Sequence, residues 1–239
     1  VAETGSVVLV SNEGNIDLSR ALPGTHIVLA SIEKMVPTLT DAAVILRLLC
    51  RAATGQEATT YASFLTGPRA ADEVDGPEAF HVLLLDNGRS ELLKGEFAEI
   101  LRCIRCGACL NHCPVYGATG GHAYGSVYTG PMGAVLTPLL EGLDRAAPLP
   151  EASTFCGRCE TVCPMGIPLV GLLRRLRERL WKRKQGRGMS RALLGAWLFL
   201  ARRPRLYHGL AGFFLPMTVP FGRRRGWLPF GPRAGGWGH

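Results

Sequence analysis

Apolar and polar positions follow one rhythm in the first third of the chain and another in the rest. Residues 6–10 (SVVLV) form a short β-branched run, and Ser-Asn-Glu-Gly-Asn ends it. Residues 26–30 (HIVLA), 61–65 (YASFL) and 80–85 (FHVLLL) read as further strands, the last closed by Asp86-Asn87-Gly88. Residues 38–51 have helical periodicity instead. Leu39, Ala43, Leu46 and Cys50 share one face, and Thr38 with Asp41 makes a variant of the capping box. Strands interleaved with helical segments predict an α/β layer over residues 1–89.

From residue 90 the pattern is helical. Residues 90–102 predict a helix that delivers the chain to Cys103, and residues 131–143 predict another. Leu169, Leu172, Leu173, Leu176 and Leu180 form a single apolar stripe on a helix over residues 169–184. Arg174, Arg175, Arg177, Arg179, Lys182 and Lys184 crowd its remainder, and Gly186 is its stop. Beyond residue 188 the chain is apolar, basic and rich in Gly and Pro. The runs 193–201 and 206–221 both fall short of the ~20 apolar residues a spanning helix needs, so no transmembrane segment is predicted. The organisation expected is mixed α/β and α: a partial α/β domain (1–89), a helical ferredoxin-like two-cluster domain (90–185) and a basic helical tail (186–239).

Charge sharpens this division. The net charge is +8, but residues 166–239 carry sixteen Lys or Arg and a single acid, Glu178, leaving the first 165 residues acidic. Val1 opens the chain in what reads as the middle of a folded unit, as in a fragment or processed chain. No basic start with a short apolar run marks a signal peptide at this end.

The cysteines carry the chemistry. Seven of the eight fall in two groups. A disulfide framework would scatter them through a small secreted domain, so this pattern points to ligation in a reducing compartment, the cytoplasm. Cys103, Cys106, Cys109 and Cys113 make C-x2-C-x2-C-x3-C with Pro114 after it, and Cys156, Cys159 and Cys163 make C-x2-C-x3-C followed by Pro164. In bacterial two-cluster ferredoxins the last Cys of such a run serves the other cluster. Cys103, Cys106, Cys109 and Cys163 are therefore expected to hold a first [4Fe–4S] cluster, and Cys113, Cys156 and Cys159 a second. Gly107 lets the backbone approach the sulfides, and each proline ends local helix. Zinc is the competing reading of paired CxxC, but this run is poorly shaped for two tetrahedra.

The second cluster is one thiol short. Ser153 stands three residues before Cys156, where Cys103 stands in the first motif. Three fillings are open: a [4Fe–4S] cluster with Ser153, water or a partner's group on the fourth iron; a [3Fe–4S] cluster; or Cys50 supplied from the α/β domain. Cys50 lies on an apolar helix face and reads as a buried structural thiol. An oxygen ligand holds iron less firmly than a thiolate, which makes this the labile cluster. Between the motifs, Tyr124 and Tyr128 read as packing around the clusters. His122 either contacts a cluster, substrate or partner, or is simply solvated.

The stretches CIRCGACLNHCPVY, GGHAYGSVYTGPMGAVLTPLL and CGRCETVCPMGIPL resemble the iron–sulfur protein of the bacterial lactate-utilisation system, the lactate utilisation protein B family. AETGSVVLVSNEGN, IEKMVPTL, ATGQ and FHVLLLDNGRS resemble the latter half of that family's α/β domain. The likeness is close over residues 2–172 and loose in the tail. It implies two cubane clusters, Ser at the position of Ser153, and a role in oxidising L-lactate to pyruvate with two partner proteins. It also implies an α/β domain that starts before Val1 and a chain that continues past the tail, so exposed sheet edges, or edges completed by another chain, are expected.

No G-x-G-x-x-G follows a strand, which places hydride chemistry on another protein. The chain thus reads as a non-catalytic electron-transfer subunit, and the resemblance implies that its complex oxidises lactate. The alternatives are a redox subunit of another 2-hydroxy-acid or membrane-linked dehydrogenase, and an open-site cluster acting as a Lewis acid. A nucleic-acid role for the basic tail lacks any recognition motif. Trp197, Phe199, Phe213, Phe214 and Trp227 interleave with Arg202, Arg203 and Arg223 to Arg225, which suits peripheral contact with the inner face of a membrane, or docking on the chain's own core or a partner subunit.

Overall fold

The structure is a computed structural model that describes residues 1–183 and 188–225. Lys184, Gly186, Trp227 and the side chains of Arg223, Arg224 and Arg225 lie outside the described residues. The chain divides into two compact units, Val1–Gln185 and Gly186–His239.

The first unit opens with strand β1 (Val7–Ser11), helix α1 (Asn15–Ala21), strand β2 (Thr25–Ser31), helix α2 (Leu39–Thr54), and strands β3 (Tyr61–Leu65) and β4 (Ala79–Leu85). All four expected strands are present, within a residue or two at each end. Their pairing is not a single layer. β1 runs antiparallel to β3, with Val7 opposite Leu65 and Ser11 opposite Tyr61. β2 runs parallel to β4, with Thr25 opposite Ala79 and Ser31 opposite Leu85. The described residues thus form two separate two-stranded ribbons, and apolar side chains such as Ile27, Leu29 and Leu83 stay exposed on the second.

α2 starts as the sequence predicts. Thr38 Oγ1 accepts the Asp41 N–H (3.1 Å), Asp41 Oδ2 accepts the Thr38 N–H (3.2 Å), and Gly55 ends the helix at φ +79°. Its buried face differs from the expected one. Ala42 and Cys50 are buried while Leu39 and Ala43 are exposed, because the helix packs through Ile45, Leu46 and Leu49 onto a largely apolar cavity of about 600 Å³ against the strands.

The helix expected over residues 90–102 is broken. Helix α3 (Arg89–Leu93) stops, and a tight 3-10 turn, Ala98–Arg102, follows. Gly95 sits in the break, where its weak helix propensity helps. The break turns Phe97, Ile100 and Leu101 into the core of the cysteine-bearing half. That half continues with short helices α4 (Ala108–Asn111) and α5 (Pro114–Thr119), then α6 (Gly130–Glu141), α7 (Arg158–Thr161) and α8 (Leu169–Lys182). α6 is buried over its first nine residues. The leucine stripe of α8 is buried at all five positions and forms the centre of the core with Val135, Leu136 and Ile100.

An ion pair joins the two halves of this unit. Arg89 Nε lies 2.8 Å from Glu33 Oε2, with side chains only 2% and 5% exposed. Arg105 reaches the other Glu33 oxygen at 3.4 Å and stacks 4.2 Å from the Tyr128 ring centroid. The Lys34 ammonium donates to the Cys103 carbonyl. Residues from the strand-bearing half therefore close directly on the first cysteine.

In the second unit, α9 (Gly188–Ala201) and α10 (Pro204–Arg225) contact each other across the Arg202-Arg203 junction. No helix among the described residues is long and apolar enough to cross a membrane.

Candidate iron–sulfur centre

Two loops of the same design present the thiols. In the first, Arg105 (φ +60°) and Gly107 (φ +79°) flank Cys106, and Gly107 starts α4, which carries Cys109. In the second, Phe155 (φ +57°) and Gly157 (φ +81°) flank Cys156, and Gly157 starts α7, which carries Cys159. A non-glycine residue in the left-handed region is uncommon and costs energy that the surroundings must repay. Both here are stacked with a partner: Arg105 lies over Tyr128, and Arg177 lies 4.0 Å from the Phe155 ring centroid.

The equivalence extends to hydrogen bonds. The Arg105 N–H donates to Cys103 Sγ at 3.4 Å. At the matching place, the Phe155 N–H donates to Ser153 Oγ at 3.2 Å. The serine hydroxyl thus holds the position that the Cys103 thiol holds in the other loop. Ser153 is half-buried, and Arg177 Nη2 donates to its carbonyl at 2.9 Å.

Cys103, Cys106 and Cys109 line one cavity of about 190 Å³, and Cys163 from the second motif lines it with them. Met132, Ile167 and Leu169 supply apolar wall. The charges of Cys156 and Cys113 both bear on Cys159. The two groups adjoin, since Cys159 also acts on Cys109. Among the described residues no three or more His, Cys, Asp or Glu side chains converge closely enough for a single metal ion. Cys103, Cys106, Cys109 and Cys163 line a space instead.

Burial and amide donors act on these thiols in opposite directions. Burial pushes Cys109 up to about 12 and Cys159 up to about 11, and it raises Cys103 as well. The exposed Cys156 is lowered instead, first by the Arg158 amide and then by the Thr154 hydroxyl. Amides already point at several sulfurs: Tyr116 N–H at Cys113 Sγ (3.5 Å), Met132 at Cys109 and Glu160 at Cys159. Such donors stabilise thiolate and sulfide, not thiol. Tyr124 adds a buried hydroxyl with no hydrogen-bond partner among the described residues, and Cys113 and Cys109 act on it electrostatically. The residues present therefore fit an iron–sulfur cluster.

Cys50 is buried on α2 and is not among the residues lining this cavity. His122 is exposed. Sequence reasoning passed over Glu33, Lys34, Arg89 and Arg105, because no local pattern ties residues so distant in the chain to a cysteine loop.

Fold and site together define a class, an α/β segment joined to a helical dicluster domain. Residues 1–85 match the LUD domain family and residues 99–167 match the 4Fe-4S dicluster domain family. The chain is 48% identical over 222 residues to lactate utilization protein B of Anoxybacillus flavithermus, covering 92% of this chain and 47% of that protein. It is 47% identical over 222 residues to lactate utilization protein B of Lysinibacillus sphaericus, with the same coverage, 92% and 47%. It is 55% identical over 173 residues to that of Macrococcus caseolyticus, covering 72% and 36%. Over the stretch it covers, the chain belongs to the lactate utilization protein B family. It spans about half the length of the curated relatives it matches. No solved structure matches it.

Proposed function

We propose that the chain is the electron-transfer component of a complex that oxidises L-lactate to pyruvate, and that it carries two iron–sulfur clusters with crossed ligation. The observation that carries this reading is the cavity walled by Cys103, Cys106 and Cys109 together with Cys163 from the other motif. These four hold one [4Fe–4S] cluster. Cys113, Cys156 and Cys159 hold the second, with Ser153 at its fourth corner. When bound, such clusters supply reversible one-electron transfer. The chain's own residues set the conditions. Amide donors at Cys103, Cys109, Cys113 and Cys159 offset negative charge, and Met132, Ile167 and Leu169 keep water from the first site. Lys34 and Arg105 place positive charge beside Cys103. Lactate chemistry belongs to partner proteins, and the family name supports lactate as the electron source.

A second reading has one observation in its favour. Ser153 replaces a thiol at one corner, and a weakly held iron there can bind a hydroxy acid as a Lewis acid. One experiment separates the two. Anaerobically purified protein is assayed for iron and sulfide, then followed by EPR on adding lactate with and without the partner proteins. Electron transfer gives reduced-cluster signals only with both present. A lactate-dependent change in the second cluster's signal, without net reduction, favours the Lewis-acid reading.

We also propose that the cytoplasmic chain meets its surroundings through α9 and α10. Trp197 and Phe213 there are 58% and 63% exposed. An anionic membrane surface suits that mixture of exposed aromatics and arginines.

A further inference from the structure

Tyr124 ends the 3-10 turn His122–Tyr124, whose close is fixed by Gly125 at φ +62° and by the Tyr124 N–H on the Gly121 carbonyl at 3.1 Å. The side chain is 6% exposed and belongs to the main core, with its ring 6.0 Å from the ring of Tyr116. Its hydroxyl is buried and has no hydrogen-bond partner among the described residues. A buried phenol hydroxyl left unpaired loses its hydration with nothing in return, and buried tyrosines ordinarily find an acceptor. The charged or chargeable groups that bear on it are Cys113 first, then Tyr116 and Cys109. Two of these three are cysteines that the dicluster reading assigns as ligands, one to each cluster. A phenol is a donor at neutral pH, and the thiolates and sulfides of a cluster are acceptors with capacity to spare.

We propose that the Tyr124 hydroxyl donates a hydrogen bond to sulfur at the cluster held by Cys113 and so raises that cluster's reduction potential. This rests on the dicluster reading. Reduction adds negative charge, and a donor aimed at sulfur stabilises the more negative state. Tyr124 is thus a positioning and tuning residue. Cys109, assigned to the other cluster, also acts on this hydroxyl.

The test uses the full chain, purified anaerobically, with potentials read by EPR-monitored redox titration. Tyr124→Phe keeps the ring and removes only the donor. The expected result is parental iron and sulfide content with a lower potential for the Cys113 cluster and a smaller change, or none, for the other. Tyr116→Phe should leave both where they were. Incorporation of 3-fluorotyrosine at position 124 makes the phenol a stronger donor and should move the potential upward, and it decides the matter if the phenylalanine variant loses iron. An iron-replete variant with an unmoved potential, or a shift confined to the Cys109 cluster, overturns the proposal alone. Absence of iron from the parent overturns the dicluster reading and this inference with it.

Discussion

Ser153 and Cys103 occupy the same place in two copies of one loop. Each follows with a left-handed residue two positions on, and each accepts that residue's amide hydrogen. The substitution of oxygen for sulfur is therefore accommodated by the backbone without change, and Ser153→Cys should restore a thiolate at the fourth corner. In air, the parent should develop a [3Fe–4S]⁺ EPR signal at the second cluster before the first decays, and Ser153→Cys should suppress it. Equal rates of iron loss in the two proteins would remove Ser153 from the site. Crossed ligation makes a separate demand. Cys163 lines the cavity of the first motif, so Cys163→Ser should damage the first cluster and spare the second, while Cys113→Ser does the reverse. EPR of both variants checks this, and damage confined to the motif that carries the substitution would show that ligation is not crossed.

At the scale of elements, α6 shows how packing reaches the chemistry. Its first turn carries Met132, whose amide faces Cys109, and Gly133, where an added Cβ would stand 2.0 Å from the Tyr128 carbonyl oxygen. Both Tyr128 and Met132 line the first cavity. Gly133→Ala must push the Tyr128 backbone away, and overpacking of this kind costs about 1–3 kcal/mol or more. We expect a lower melting temperature and iron loss from the first cluster before the second, read by EPR and iron analysis. The sequence made some elements legible and hid others for physical reasons. The cysteine spacings and the leucine stripe of α8 are local and periodic, so the two cysteine groups and the centre of the core could be read directly. The break at Gly95 depends on where Phe97, Ile100 and Leu101 find their core, and the rotated face of α2 depends on which strands it meets. Strand pairing is likewise long-range, so four correctly placed strands still formed two ribbons.

Across the whole molecule, one contact extends the site beyond its own loops. The Glu33–Arg89 pair ties the strand-bearing half to the residues around Cys103 and is almost fully buried. Glu33→Gln leaves Arg89 charged, buried and without its counter-ion, a change that costs about 3–5 kcal/mol when one partner of a buried pair is removed. Chemical denaturation of the variant should show that loss, with the first cluster released earlier in the transition than in the parent. The second unit carries an exposed surface of its own. Phe199, Trp197, Phe213 and Phe214 are exposed on α9 and α10, and Arg203 stacks 3.8 Å from the Phe199 ring centroid. Exposed aromatics of this density are costly in water, and arginines among them match anionic headgroups. No described helix is long and apolar enough to cross a bilayer, so the membrane contact proposed above is an interfacial one. The chain should float with liposomes containing anionic lipid, weaken as salt is raised, and stop floating when residues after Gly188 are removed. Flotation that ignores the truncation, or none at all, would rule out the membrane surface. A partner subunit that co-purifies with the full chain and is lost on truncation would assign the same aromatics to protein docking.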